Sequence, residues 1–442
     1  MDNTLAYIDQ ASFLGFRALG RGPLIQLTWI YEHAVDTDGL LRFQHALGQG
    51  MLGRRIERSP LPFGRHRWVS WQPPTTIDVH PEPRPRSDLP AWIEQRRATP
   101  IDAELGPPWH LGVLPLAEGG AAVSLVVSHT VADGVGITIA VADAVNGVAA
   151  SPGYPPAASR RRAAAIREDL RQTGRGLRGA AAALVSAVQV ARANRSAVGG
   201  SMRTPPPPPG EAPGSPVSVP LVTMYADAAH WDERARSLGG TSNSLFLGLG
   251  ARLGALLGRL RADGSVELAV PVNERQPGDL AGNVLTGVTV IVDPSSVTTD
   301  LRDVRAAFKS ALSGLGEARH QLAAPLPLTP LIPKALARRL SGVALGSSAV
   351  IGCSNIGEVD AAVNRPDGTD AEFFSIRAME SRITRAEIVR QAGLMFLVSA
   401  RVNGQVSVTV SFADPAGSNS RDDLLRVLSR AVADFGLSAT VT

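Results

Sequence analysis

Residues Ala121–Gly136 read AAVSLVVSHTVADGVG. The first eight are small, β-branched or aliphatic, the composition of a strand buried on both faces. His129 stands just past the strand end. Asp133 and Gly134 follow within five residues, and Gly134–Gly147 has the apolar texture of a helix closed by glycine. A buried strand that ends on an imidazole and turns through Asp-Gly into a helix has two readings. In one, His129 is a satisfied buried histidine and Asp133 an N-cap. In the other, the imidazole, which titrates near neutrality, is a general base held in a water-poor cleft. Asp133 then pins the loop by pairing with an arginine, and Gly134 lets the backbone bend without a Cβ clash.

Outward from this stretch, Leu24–Glu32 alternates as a strand. Thr37–Ile56 is helical by spacing, with Asp36-Thr37-Asp38 to cap it, and Leu89–Arg97 reads as a short helix. Arg67–Trp71 and Trp109–Leu116 are further strands. Downstream, the pattern predicts helices over Leu245–Arg261, Leu301–Leu315, Leu328–Leu345 and Arg421–Phe435. It predicts strands over Glu267–Val272, Thr286–Val292, Ala349–Ser354, Met395–Val402 and Val406–Phe412. Asn403-Gly404 marks a hairpin turn. Strands alternating with helices argue α/β or α+β architecture. With 442 residues the chain exceeds one compact core. The proline-rich, Arg/Ala-rich texture of Ser151–Ser215, with its run Pro205–Pro209, divides it. The expected organisation is therefore an N-terminal lobe (1–150), a linker (151–216) and a C-terminal lobe (217–442).

Hydrophobic residues make up 44% and charged residues 19% of the chain, ordinary for a globular protein. Cys353 is the only cysteine, so no intrachain disulfide forms and a reducing, cytoplasmic setting is expected. A net charge of +4 gives no footprint for nucleic acid. No apolar run reaches the length of a membrane span, and MDNTLAYIDQ is no secretory signal. The sequence has no Gly-x-Ser-x-Gly elbow, no Walker A loop and no histidine spacing suited to a metal. Gly248-Leu-Gly-Ala-Arg-Leu-Gly254 has the wrong spacing for a dinucleotide loop. The segment 160–195 is rich in arginine. As a helix it would be either a solvated face packed on its own lobe or a basic surface lying peripherally on anionic lipid at the inner membrane face.

His129-Thr-Val-Ala-Asp-Gly134 resembles the His-x-x-x-Asp-Gly signature of the CoA- and carrier-dependent acyltransferase superfamily. That superfamily includes chloramphenicol acetyltransferase, peptide-synthetase condensation domains, plant BAHD enzymes, polyketide-associated (Pap) acyltransferases and wax ester synthase/diacylglycerol acyltransferases. Pro100–Leu111, Thr241-Ser-Asn-Ser-Leu245, Val270-Pro-Val-Asn-Glu-Arg275 with Gly282-Asn283, and Cys353-Ser-Asn-Ile-Gly357 resemble further family segments. Ser128 stands where many members carry a first histidine; His129 matches the second, catalytic one. The plant-type Asp-Phe-Gly-Trp-Gly motif is absent.

The resemblance implies two chloramphenicol-acetyltransferase-like lobes with a channel between them and His129 midway. It implies an acyltransferase that moves an acyl group from a thioester (acyl-CoA or an acyl carrier protein) to an alcohol or amine, with His129 as general base and no covalent acyl-enzyme. No metal and no cofactor beyond the thioester substrate are expected, in lipid or secondary metabolism. An Asp133–Arg275 ion pair, bidentate between the lobes, is implied as structural support, with Ser354 and Asn355 as candidate oxyanion or substrate contacts. The alternatives are a free-standing condensation-type enzyme that forms amides on carrier-bound substrates, and a non-catalytic carrier-docking module.

Overall fold

The eight apolar residues before His129 form the centre of a sheet. In the computed structural model, which describes residues 2–193, 217–338, 350–415, 417 and 419–442, Ala121–Ser128 is strand β6, buried throughout. The strands before it are β1 (Pro23–Tyr31), β2 (Arg54–Glu57), β3 (Arg67–Ser70), β4 (Asp78–Val79) and β5 (Trp109–Pro115). Those after it are β7 (Leu221–Asp227), β8 (Val266–Asn273), β9 (Leu285–Val292), β10 (Ile351–Glu358), β11 (Phe373–Glu380), β12 (Leu394–Val402), β13 (Gln405–Ala413) and β14 (Ala439–Val441). The described helices of seven residues or more are α1 (Tyr7–Leu19), α2 (Thr37–Gln49), α3 (Leu89–Gln95), α4 (Gly134–Val145), α5 (Arg162–Ala193), α6 (Ala228–Ser237), α7 (Ser242–Leu256), α8 (Arg302–Ser313), α9 (Leu315–Ala323) and α10 (Arg421–Asp434).

Two mixed sheets result. One runs β11-β1-β6-β5-β4, the other β14-β7-β13-β12-β10-β8-β9, and β2 with β3 forms a separate ribbon. The expected α/β, two-lobed architecture is present. The lobes are not, however, cut cleanly at residues 150 and 217. Strand β11, from the C-terminal segment, pairs antiparallel with β1 from Pro23↔Glu380 to Ile30↔Phe373. The first lobe thus borrows its edge strand from the second. The two lobes also share a core: Phe374 and Ile376 of β11 and Val398, Ala400 and Val402 of β12 pack with Trp29, Phe43 and Val127.

Local departures from the sequence reading have physical causes. The helix expected over Thr37–Ile56 stops at Gln49 and gives way to β2. A Cβ at Gly53 would fall 1.8 Å from the carbonyl oxygen of Gly48, so the chain needs a glycine to fold back this tightly. The helix expected over Leu328–Leu345 begins instead as a 3-10 turn, Leu326–Leu331, because Pro330 removes a backbone donor; its part beyond residue 338 lies outside the described residues. Pro205–Pro209 also lies outside them. Asn403 and Gly404 both have positive φ (47° and 73°) at the β12–β13 hairpin, as the Asn-Gly signal requires. Within the expected linker, α5 is anchored to the first lobe: Asp169 is buried, accepts a hydrogen bond from Ser59 (2.5 Å) and pairs with Arg160 (2.8 Å).

Trp29 couples the borrowed strand to the first lobe. It is fully buried, its Nε1 donates to the Val363 carbonyl (2.7 Å), and its ring meets Phe43 and Phe374. Truncating it leaves a cavity and an unpaired carbonyl. Trp29→Ala is expected to lower unfolding free energy by about 3–5 kcal/mol, read as a shift of the denaturant midpoint at unchanged slope.

Candidate active site

His129 sits at the β6 end, half-buried, its backbone N–H bonded to the Pro23 carbonyl (3.0 Å). Its Nδ1 lies 2.9 Å from Oδ1 of Asn283. The partners of Asn283 determine which tautomer this contact selects. Asn283 Nδ2 donates to Oδ1 of Asp9 (3.0 Å), which fixes the amide so that Oδ1 faces the imidazole. An amide oxygen only accepts, so Nδ1 carries a proton, and in the neutral ring Nε2 keeps its lone pair.

Asp9, on α1, is fully buried and also accepts from the backbone N–H groups of Gly282 and Asn283 (2.8 Å each). Burial raises its pKa, while these donors and the charge of Arg54 oppose the rise. Nothing in the sequence singled Asp9 out. Its partners lie more than 270 residues away, and α1 begins without a side-chain cap to announce it.

Asp133 performs both roles that the sequence left open. Oδ1 caps α4 by accepting from Gly136 N–H (2.7 Å). Oδ2 accepts from Arg275 Nη2 (2.9 Å) and from Val284 N–H (2.8 Å). The Asp133–Arg275 contact is single rather than bidentate. The Nη groups of Arg275 also donate to the carbonyls of Asp279, Ala281 and Gly282 (3.1 Å each), which fixes the loop after β8 from within. Both side chains are about 95% buried (4% and 5% exposed). Gly134 has no positive φ and is not needed for a bend. A Cβ there would come 2.8 Å from Ile356 Cδ1, so the glycine makes room for β10.

Arg54 adds a third grip from the first lobe. It is fully buried, stacks over Trp68 (4.0 Å), donates to Val131 O (2.7 Å) and also reaches the Leu280 carbonyl across the lobe boundary. Asp9, Arg54 and Asp133 together hold the loop 279–284.

Ser354 and Asn355 lie on β10 and line a small cavity of about 80 Å³ with His129, Asp133 and Gly134. The Asn355 side chain is committed: Nδ2 donates to Asn243 (3.0 Å) and Oδ1 accepts from Gly357 N–H (3.0 Å). A second cavity of about 510 Å³, lined by Ile8, Leu285, Leu322, Met379 and Phe396, also reaches His129. Pro271, Leu285, Arg377 and Ala378 border both. His129 therefore stands where two cavities meet, between the lobes. Among the described residues no cluster of metal-ligating side chains is found, and no helix is long and apolar enough to cross a membrane.

The fold, two lobes joined by a crossing strand, is similar to that of solved condensation domains. The first condensation domain of the calcium-dependent antibiotic synthetase, in complex with a substrate analogue, superposes with a TM-score of 0.58 at 17% identity, covering 98% of this chain and 96% of that one. Polyketide synthase associated protein 5 from Mycobacterium tuberculosis gives 0.53 at 16% identity, with 98% of each chain covered. The wax ester synthase/diacylglycerol acyltransferase from Marinobacter aquaeolei VT8 gives 0.54 at 15%, again with 98% of each. No protein-family profile matches the sequence, and a search of characterised proteins returns no match.

Two predictions concern the grip on the loop. Asp133→Ala and Arg275→Ala each strand a buried partner and should each cost about 3–5 kcal/mol. The double variant should lose far less than their sum, measured by a denaturation cycle; additive losses would mean the contact carries no coupling. Gly282 is the second point. A Cβ there would sit 2.9 Å from both Asp9 Oδ1 and the Val131 carbonyl, neither free to retreat. Gly282→Ala is expected to cost roughly 1–3 kcal/mol, seen as a lower melting temperature.

Proposed function

We propose that this protein is an acyltransferase that moves an acyl group from a thioester, acyl-CoA or an acyl carrier protein, to a hydroxyl or amine, with His129 as general base. The observation that carries this reading is the His129 tautomer at the meeting of two cavities. Asn283, oriented by Asp9, favours the proton on Nδ1, which leaves the Nε2 lone pair of the neutral ring free where two cavities meet. A base needs a fixed tautomer and a water-poor site.

In the reaction, Nε2 takes the acceptor's O–H or N–H proton as the oxygen or nitrogen attacks the thioester carbonyl. The tetrahedral oxyanion collapses, the C–S bond breaks, and the thiolate leaves with the proton from the imidazolium. Ser354 is the better oxyanion donor of the two candidates, since the Asn355 amide is already engaged. The large apolar cavity suits an acyl chain. The similarity of fold to a condensation domain and to a wax ester synthase supports the same class of chemistry.

Purified protein incubated with a panel of acyl-CoAs and medium-chain alcohols or amines is expected to release free CoA thiol and form ester or amide. His129→Ala should reduce this by about 10²–10⁴-fold while its melting temperature stays near wild type. Near wild-type turnover in folded His129→Ala protein would remove the histidine from the chemistry.

A further inference from the structure

A separate cavity of about 340 Å³ lies toward the other end of β1 and β11, between the lobes. Its walls are mainly apolar, including Ile30, Leu89, Ile93, Leu221 and Phe373, and its volume falls at the lower end of small-molecule pockets. Both lobes build it: the rings of Tyr225 and Phe373 meet with centroids 4.9 Å apart. His129 does not line it. The wall residues Thr28 and Ile30 lie four and six residues beyond Leu24, the partner of Ser128, a separation of about 13–20 Å along a strand. Arg377 is part of the wall. Its guanidinium is held by Gln26 (2.5 Å), Glu94 (3.1 Å) and the Ile93 carbonyl (2.8 Å), and it borders the cavities at His129 from the same position.

The charge at this cavity is unbalanced. Arg86 at the mouth is paired with Glu32 (3.5 Å). Arg421, the first residue of α10, is not: its Nε is buried without a hydrogen-bond partner, and no ion pair reaches its guanidinium among the described residues. Threonines 223, 409 and 440 add hydroxyls along the wall. A guanidinium that no carboxylate pairs, set beside apolar walls, would be matched by an anion that brings its own hydrocarbon. We propose that this cavity binds a medium-chain carboxylate, its tail against Ile30, Ile93 and Phe373 and its headgroup at Arg421, as a site separate from His129.

The test is calorimetric titration of the full chain with decanoate, decanol and decyltrimethylammonium. Decanoate should bind saturably, with decanol weaker and the cation not bound. Arg421→Gln should weaken decanoate about tenfold, the loss of one charge-assisted contact at a partly exposed site, and leave decanol unchanged; Arg421→Lys should retain most of the affinity. Thr440→Trp, an exposed edge-strand position that fills the cavity, should abolish binding, whereas Leu322→Trp in the large cavity and His129→Ala should not. Binding by the His129→Ala protein keeps this result independent of the transfer reaction. Absence of decanoate binding, equal affinity in Arg421→Gln, or loss of binding in Leu322→Trp instead would each overturn the proposal. Should Thr440→Trp fail to fold, the Arg421 and Leu322 variants decide.

Discussion

Two buried carboxylates from the first lobe, Asp9 and Asp133, hold three consecutive backbone N–H groups of the second, those of Gly282, Asn283 and Val284. The rest of the site depends on this contact. A carboxylate taken out of water is costly unless several donors surround it. Here the donors belong to a loop that would otherwise have unpaired N–H groups, so each side satisfies the other. The grip needs a main chain that can come very close, which Gly282 allows. Through Asn283 the same contact reaches the imidazole and selects its tautomer. Assembly of the lobes and orientation of the imidazole are thus one event.

Strand β11 supplies the second constraint. It completes the first sheet while belonging to the chain segment of the second, and it brings Arg377 into the interior. Burial pulls the Arg377 pKa down to about 10 against the pull of Glu94, so it remains a cation at neutral pH. A buried arginine with all directions engaged acts as a rigid spacer rather than a mobile charge. It lines both the cavities at His129 and the one at Tyr225 and Phe373.

What could be read from the sequence follows the range of the interactions. His129, Asp133 and Gly134 lie within one strand–turn–helix, so their spacing carries information, and Arg275 was reached through resemblance. Most regular elements showed in their periodicity to within a few residues. Asp9 and Arg54 did not, because their partners are 273 and 226 residues distant and no local pattern encodes such a contact. Strand β11 escaped for a different reason. FFSIRAME is inward-facing on both sides over much of its length, and an arginine at its centre contradicts the apolar run expected of such a strand. Gly134 was noticed for backbone freedom, yet it is needed for space. A one-letter pattern does not distinguish those two uses of glycine.

The strand–turn–helix around His129 divides its labour by geometry. Strand β6 pairs on both sides, with β1 and β5, so its end is among the stiffest points of the lobe. An imidazole attached there loses little entropy when held. Helix α4 begins at once, and its N-terminal N–H groups need an acceptor. Asp133 supplies one with Oδ1 and keeps Oδ2 for the other lobe. A serine or asparagine would cap the helix as well, but with only one acceptor oxygen on its side chain. The cap alone does not require a carboxylate. The need to hold Gly136, Val284 and Arg275 at once does, and this explains why the chain places an aspartate four residues after its histidine.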